Sequence, residues 1–299
     1  MKTVMITGAS GFLGRHLIED LLNMTEHRVI ALTSQAEKLH ALFPSFNDRL
    51  SIVSSEEYSS LSYREVDVLV NCAFPRNEDG TKMAEGLHFI AGLLKAAADG
   101  GVGAVINISS QSVYSQQRTE PATEETSLNL ESKYAVGKYA SELLTNIICA
   151  DIPHTNLRLA SLIGVGFDQR ITNKLIDQAL SGNVLHIMTG NQHYGFLDVR
   201  DAADAIVKMC ENNPFQWDEI YNLGTNNSYN LYEIMEEICV IYNTYFEKPL
   251  FFSTETNEKV FNSSIVCRKF METFQWSSTY PLSATLQWIF DSKQKIITR

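Results

Sequence analysis

Over the first half of the chain, short continuous apolar runs alternate with longer stretches whose apolar residues recur every three or four positions. The runs at 3–8 (TVMITG), 28–32 (RVIAL), 50–53 (LSIV), 67–73 (DVLVNCA) and 103–109 (GAVINIS) are continuous and often β-branched, as strands buried on both faces are. Helical periodicity fills the intervals at 12–23, 37–43, 84–99 and 131–150. This alternation predicts right-handed βαβ units stacked into an α/β, doubly wound parallel sheet with helices on both faces. Past residue 150 the elements mix. The pattern predicts a strand over 155–164, a helix over 171–182 ending at Gly182, a strand over 184–190, a helix over 199–211 and a strand over 219–224. Residues 111–129 are polar and interrupted by proline, and read as a loop on the carboxyl edge of the sheet. We therefore expect a main domain over 1–160 with returning segments at about 187–228, and a smaller C-terminal lobe from about 161–186 and 229–299.

Composition narrows the class. With 299 residues, 44% of them hydrophobic, the chain can bury a large core. The net charge of -11 is spread along the sequence without a basic stripe, which argues against a nucleic-acid partner. Five cysteines (Cys72, Cys149, Cys210, Cys239 and Cys267) are odd in number and lack zinc-ligand spacing, so they read as free thiols in a reducing compartment. No apolar run approaches the ~18 residues of a membrane span, and the start of the chain does not read as a secretory signal. The expectation is a soluble cytoplasmic protein acting on a small molecule.

The first turn carries candidate chemistry. TGASGFLG places Gly8, Gly11 and Gly14 after the first strand and at the start of the first helix. Glycines at that spacing permit a tight turn, close approach of backbone N–H groups to a pyrophosphate, and close helix packing, as in the Rossmann fold. Candidate cofactor contacts are Gly8, Ser10, Gly11, Phe12, Leu13 and Gly14 in this turn, Thr33 and Ser34 after the second strand, and Cys72 and Ala73 after the fourth. The second strand ends without the Asp or Glu that often binds the adenosine ribose, while Arg15, Arg28 and Lys38 are basic residues within reach in sequence. Missing acid and nearby bases tilt the cofactor toward NADP over NAD.

The second constellation is YAVGK. Tyr134 and Lys138 lie four positions apart, on one face of a predicted helix, and Ser109, Ser110 and Ser112 emerge where the fifth strand ends. Hydride transfer at a carbonyl needs a proton donor and acceptor at its oxygen. A phenol, whose ordinary pKa is about 10, can serve if a lysine ammonium favours the phenolate. A serine hydroxyl can hold the substrate oxygen in line, and Lys138 can also reach the cofactor ribose.

On these residues the chain resembles the extended short-chain dehydrogenase/reductase family, often described as NAD-dependent epimerase/dehydratase proteins. TGASGFLG is similar to the family's TGxxGxxG, SSQSVY to SSxxVY, YAVGK to YxxxK, LRLASLIGVG to LRxxxxYGPG, and FLDVRDAADAI to FxxVxDxAxAI. The tail over 261–290 resembles the family's C-terminal helix, Gly-Trp turn and final helix. The resemblance implies a catalytic set of Ser110, Tyr134 and Lys138, both Tyr134 and Lys138 also touching the cofactor, a sugar nucleotide as the usual substrate, and homodimers formed near 81–99 and 130–150. Departures refine it. Gln111 and Ser112 stand where 4,6-dehydratases carry Asp-Glu, which argues against dehydration. Tyr194 stands where members that grip a nucleotide diphosphate often carry arginine, and His88 reads as packed or partly exposed rather than catalytic. The readings that remain are an epimerase or reductase of a sugar or sugar nucleotide, a reductase of a non-sugar carbonyl, and a dinucleotide-sensing regulator without chemistry.

Overall fold

The computed structural model describes residues 1–44, 48–75, 79–182 and 185–297. Six strands, β1 (Thr3–Thr7), β2 (Arg28–Thr33), β3 (Leu50–Ser54), β4 (Val68–Asn71), β5 (Val105–Ser110) and β6 (His154–Leu159), alternate with α1 (Phe12–Met24), α2 (Ala36–Leu42), α3 (Gly80–Asp99) and α4 (Lys133–Ile148). Later come β7 (Ser161–Ile163), α5 (Ile171–Leu180), β8 (Leu185–His193), β9 (Phe196–Asp198), α6 (Val199–Glu211), β10 (Ile220–Leu223), α7 (Leu231–Phe246), β11 (Phe252–Asn262), α8 (Arg268–Phe274) and α9 (Leu282–Ile297).

One parallel sheet of seven strands runs β10-β6-β5-β4-β1-β2-β3. The chain moves outward from β1 to β3 and returns to β4 on the other side of β1, so a crevice opens between the carboxyl ends of β1 and β4. All four residues of β4 are buried, as its unbroken apolar run demands. On one face the core joins α1 and α6 to the sheet through Leu17, Ile18, Leu21, Ala202 and Ile206; on the other, Ile90, Leu93 and Leu94 of α3 pack against Met5 and Leu69. A second core, from α5, α7, α9 and β8, includes Ile176, Ile234, Ile238, Leu286 and Phe290.

Three differences from the sequence reading have physical causes. The strand expected over 155–164 is two strands in different sheets. Ala160 N–H still donates to Leu223 of β10 at 2.9 Å, but Ser161 N–H donates to Gly195 at 3.2 Å, and β7 goes on to pair with β9. The strand expected over 184–190 extends to His193, and its first residue, Val184, lies outside the described residues. Leu185 to Gly190, Gln192 and His193 pair in parallel with β11, and Ile187 sits in the second core. Finally, α7 and β11 lie beyond the elements read from sequence. Helix α7 buries Leu231, Ile234, Met235, Ile238, Cys239 and Tyr242 at helical spacing behind an Asn230–Glu233 capping box, a signal the sequence did carry, whereas β11 is mostly polar and exposed and offers none.

The tail is tied to α6 by charges in the VRD stretch. Arg200 grips Asp198 through two hydrogen bonds of 2.9 and 2.7 Å, and its guanidinium lies 3.6 Å from the Tyr280 ring centroid and 4.0 Å from that of Trp288. Asp201 accepts from the backbone N–H groups of Thr279 and Tyr280, and Asp204 from the Trp276 indole. Gln275, ahead of Trp276, takes the left-handed conformation (φ +49°) that a glycine would adopt without strain. All five cysteines are free. Among the described residues no helix is long and apolar enough to cross a membrane.

Candidate active site

A cleft of about 1100 Å³ opens at the carboxyl ends of the strands, larger than the ~300–1000 Å³ of a typical ligand pocket. Its floor begins with the turn after β1. Gly8 has φ +61°, and a Cβ there would lie 2.9 Å from the backbone of Ala73, so β1 and β4 approach too closely for any side chain. A Cβ on Gly14 would lie 2.5 Å from the Gly8 carbonyl oxygen, which explains why α1 can start directly against the turn. Helix α1 has no side-chain cap and no acid in its first turn, so its unpaired N–H groups and positive dipole end face the cleft. A backbone cradle of this kind, closed to any Cβ and open to an anion, fits the pyrophosphate of a dinucleotide.

Gly8, Ser10, Gly11, Phe12, Leu13, Gly14, Cys72, Ala73, Ser110, Tyr134 and Lys138 all line this cleft. Thr33 and Ser34 do not. The Thr33 hydroxyl is turned inward and donates to Ser10 Oγ at 2.8 Å, tying β2 to the glycine turn, whereas Ser34 is exposed. The bases that favoured NADP are dispersed: Arg28 opens β2 opposite Thr3, at the far edge of the sheet, and Arg15 donates to the Val165 carbonyl at 3.0 Å. Only Lys38, exposed on α2, stays on the side where β2 ends.

Helix α4 is capped by Ser132, whose hydroxyl accepts from Ala135 N–H at 3.1 Å, so the helix begins one residue before Tyr134. Lys138 is buried, donates to the Ile108 carbonyl of β5 at 2.7 Å, and holds its ammonium 4.0 Å from the Phe74 ring centroid and 6.0 Å from that of Tyr134. Phe74 meets the Tyr134 ring edge to face at 5.5 Å. Phe74 was not anticipated; the only signal was an aromatic residue right after the fourth apolar run. Burial pushes the Cys72 thiol up to about 12, against the charge of Lys138, which makes it a wall of the cleft rather than a nucleophile. Gly166, Phe167, Asp168, Gln169 and Arg170 close the side toward the second core.

Polar ladders support these groups from within the sheet. Thr7 donates to Asn71 at 2.7 Å, Asn71 to Asn107 at 3.0 Å, and Asn107 to Asn156 at 2.9 Å, in the register that pairs Asn71, Asn107 and Asn156 across β4, β5 and β6. Beside it, Glu142 accepts from Arg158 at 2.9 and 2.7 Å and from Ser109, while Arg158 also donates to the Tyr114 hydroxyl at 3.0 Å. Burial opposes the Arg158 charge, yet the Glu142 carboxylate outweighs it and holds the guanidinium above its ordinary pKa. Glu142 stands one turn beyond Lys138, and Ser109 next to Ser110, so the pair links the two strands of chain that carry the candidate chemistry. Lone polar residues inside apolar strands were the signal for both ladders.

Tyr194 lies away from this cleft, among aromatics. Its ring stacks at 6.0 Å on Phe196 and at 5.1 Å against Phe261, its hydroxyl donates to Gln192 at 3.1 Å, and burial raises its pKa. His88 is exposed on α3. No cluster of His, Cys, Asp and Glu suited to a metal occurs among the described residues.

Comparison with known proteins agrees with this layout. Residues 4–224 match the model of the NAD dependent epimerase/dehydratase family. The chain is 26% identical over 239 residues to a dTDP-4-dehydro-6-deoxy-D-allose reductase of Streptomyces sp, covering 70% of this chain and 73% of that one. It is 26% identical over 246 residues to a UDP-glucose 4-epimerase of Mycolicibacterium smegmatis, covering 75% and 77%. In three dimensions it is similar to a UDP-glucuronic acid 4-epimerase from Bacillus cereus solved with UDP-glucuronic acid and NAD, with a TM-score of 0.82, 20% identity and coverage of 98% and 99%.

Proposed function

The chain belongs to the NAD dependent epimerase/dehydratase family, a family of enzymes, and on that premise we propose that it oxidises and reduces a hydroxy/keto carbon of a sugar nucleotide as a 4-epimerase or 4-keto reductase. The observation that carries the reading is the single cleft lined by the glycine cradle, Ser110, Tyr134 and Lys138. The cradle and the open end of α1 would hold the pyrophosphate of NAD, with Lys138 and Tyr134 as the residues that would bind its ribose. Hydride exchange at the substrate carbon is the chemistry that a bound nicotinamide supplies. Tyr134 removes or returns the proton on the substrate oxygen, Lys138 favours the phenolate, and Ser110 fixes the oxygen by a hydrogen bond. We favour NAD over NADP: Arg15 and Arg28 lie away from the end of β2, and a structurally similar epimerase was solved with NAD.

Epimerase and reductase share these residues and differ in whether the protein keeps the keto sugar bound through the whole turnover or releases a reduced product. A non-sugar carbonyl remains a second substrate reading, favoured by Tyr194, which brings aromatic packing to the position where a diphosphate-binding arginine was expected. The exposed stripe of Val136 (50%), Leu143 (43%) and Ile147 (74%) along α4 supports self-association into a homodimer. The decisive experiment incubates the protein with NAD and UDP-glucose, and with NADH and a dTDP-4-keto-6-deoxyhexose. Epimerisation without net NADH, or stoichiometric NADH oxidation, identifies the reaction. Tyr134→Phe should retain NAD affinity and lose turnover; undiminished turnover would end the mechanism.

A further inference from the structure

Gln111 opens a 3-10 turn right after Ser110 and is 6% exposed, yet it lines the cleft. A carboxamide has an accepting and a donating end, and each finds its partner in the protein, in solvent or in a ligand. One end is settled. Gln116 Nε2 lies 3.0 Å from the Tyr114 carbonyl, which can only accept, so this Gln116 atom is a donor. The same Nε2 lies 3.1 Å from Gln111 Oε1, which is therefore held as the acceptor. The backbone thus fixes the amide orientation, and the Gln111 NH2 group is left as the other end. It finds no acceptor among the described residues.

Gln116 is itself held in place. Its N–H donates to Glu131 at 3.1 Å, and its carbonyl accepts from Asn262, the last residue of β11, at 2.8 Å. The donor of Gln111 is thereby presented rigidly beside Ser110, braced from the second lobe. We propose that Gln111 is a specificity-determining residue whose amide N–H₂ binds one of the exocyclic oxygens that flank the reacting carbon, on the neighbouring ring carbon or on the side chain of the other neighbour. A carboxamide does not titrate near neutrality, so its contribution is recognition of a neutral oxygen, hydroxyl or carbonyl, and not acid–base work. The assignment rests on the sugar-nucleotide reading above.

The test compares UDP-glucose with its 3-deoxy and 6-deoxy analogues, which lack the C3 hydroxyl next to C4 or the C6 hydroxyl carried beyond C5, using NAD-loaded wild type and Gln111→Leu. Wild type should favour UDP-glucose over one analogue by about tenfold in kcat/KM, the worth of a neutral hydrogen bond. Gln111→Leu should lose about tenfold on UDP-glucose and nothing on that analogue, which erases the preference. The wild-type comparison needs no variant to fold; a wild type indifferent to both missing oxygens overturns the assignment. Equal losses by Gln111→Leu on all three substrates overturn it too, leaving a merely structural residue. Wild type that binds NAD but converts neither these three nor, with NADH, a dTDP-4-keto-6-deoxyhexose overturns the functional reading itself, a result seen before any variant is made.

Discussion

Replacing Glu142 by glutamine keeps the shape of the side chain and removes its charge, which isolates what the carboxylate does. The partner guanidinium of Arg158 is 3% exposed, and Glu142 supplies two of its hydrogen bonds. Removing one member of a buried ion pair leaves the other charged, desolvated and half-paired, at a cost of about 3–5 kcal/mol. For a chain of 299 residues the entropy of unfolding is about 0.6 kcal/mol/K, so that cost corresponds to a fall in Tm of about 5–8 °C. Scanning calorimetry at pH 7 reads it directly, provided the NAD content of the two samples is matched. The double variant Glu142→Leu/Arg158→Leu should be more stable than Glu142→Gln, because no charge is left behind. A Tm shift under about 1 °C for Glu142→Gln, or a double variant less stable than the single one, would refute the idea that burial of an unpaired guanidinium dominates.

Gly8→Ala should lower NAD affinity at least tenfold in calorimetric titration and cost about 1–3 kcal/mol of stability, because its Cβ would meet the Ala73 backbone at 2.9 Å with φ at +61°; unchanged affinity would contradict the cradle. Asp20 is held up to about 7 by burial first and then by Asp204 and Glu19. Its folded form keeps a proton that the unfolded chain has released, so stability falls as pH rises from about 4 to 7 and the penalty is complete above that. Discounted for partial exposure, Asp20→Asn should gain about 1–2 kcal/mol at pH 8 and nothing near pH 4 by urea unfolding, and a pH-independent gain would exclude this origin. Ile147→Asp, which places a charge at the most exposed point of the α4 stripe, should halve the mass measured by light scattering if the stripe joins two chains; an unchanged dimer would move the interface elsewhere.

Legibility followed periodicity. Strands buried on both faces and amphipathic helices could be read to within a few residues through β6, since each announces itself locally. The break at Ala160 was invisible because both halves are apolar and extended; only the change of hydrogen-bond partner, from Leu223 to Gly195, separates them. Within the cleft, Gly8, Tyr134 and Lys138 were legible from spacing, whereas spacing left Ser109, Ser110 and Ser112 together and only the family resemblance singled out Ser110. Phe74 and Gln111 were not recognised as parts of the cleft, because what they do depends on contacts with residues distant along the chain or on a loop whose path no local pattern fixes. Thr33 stands at the end of β2 as the sequence indicated, and only the structure shows its hydroxyl turned inward to Ser10.

The seventh strand of the sheet has a consequence for how the molecule is made. β10 spans Ile220–Leu223, and Asn222, buried within it, accepts from the Tyr114 hydroxyl at 2.9 Å and donates to the carbonyls of Ala122 and Val266. A ribosome therefore completes β1 to β6 well before the strand that covers the open edge of β6 exists. During that interval β6 presents unpaired N–H and C=O groups beside the Arg158 network, the kind of edge that recruits other chains. Synthesis that pauses between residues 160 and 220 should thus be the stage at which nascent chains most need a chaperone, and the last fifth of the chain, through Val266, completes the polar packing around Asn222.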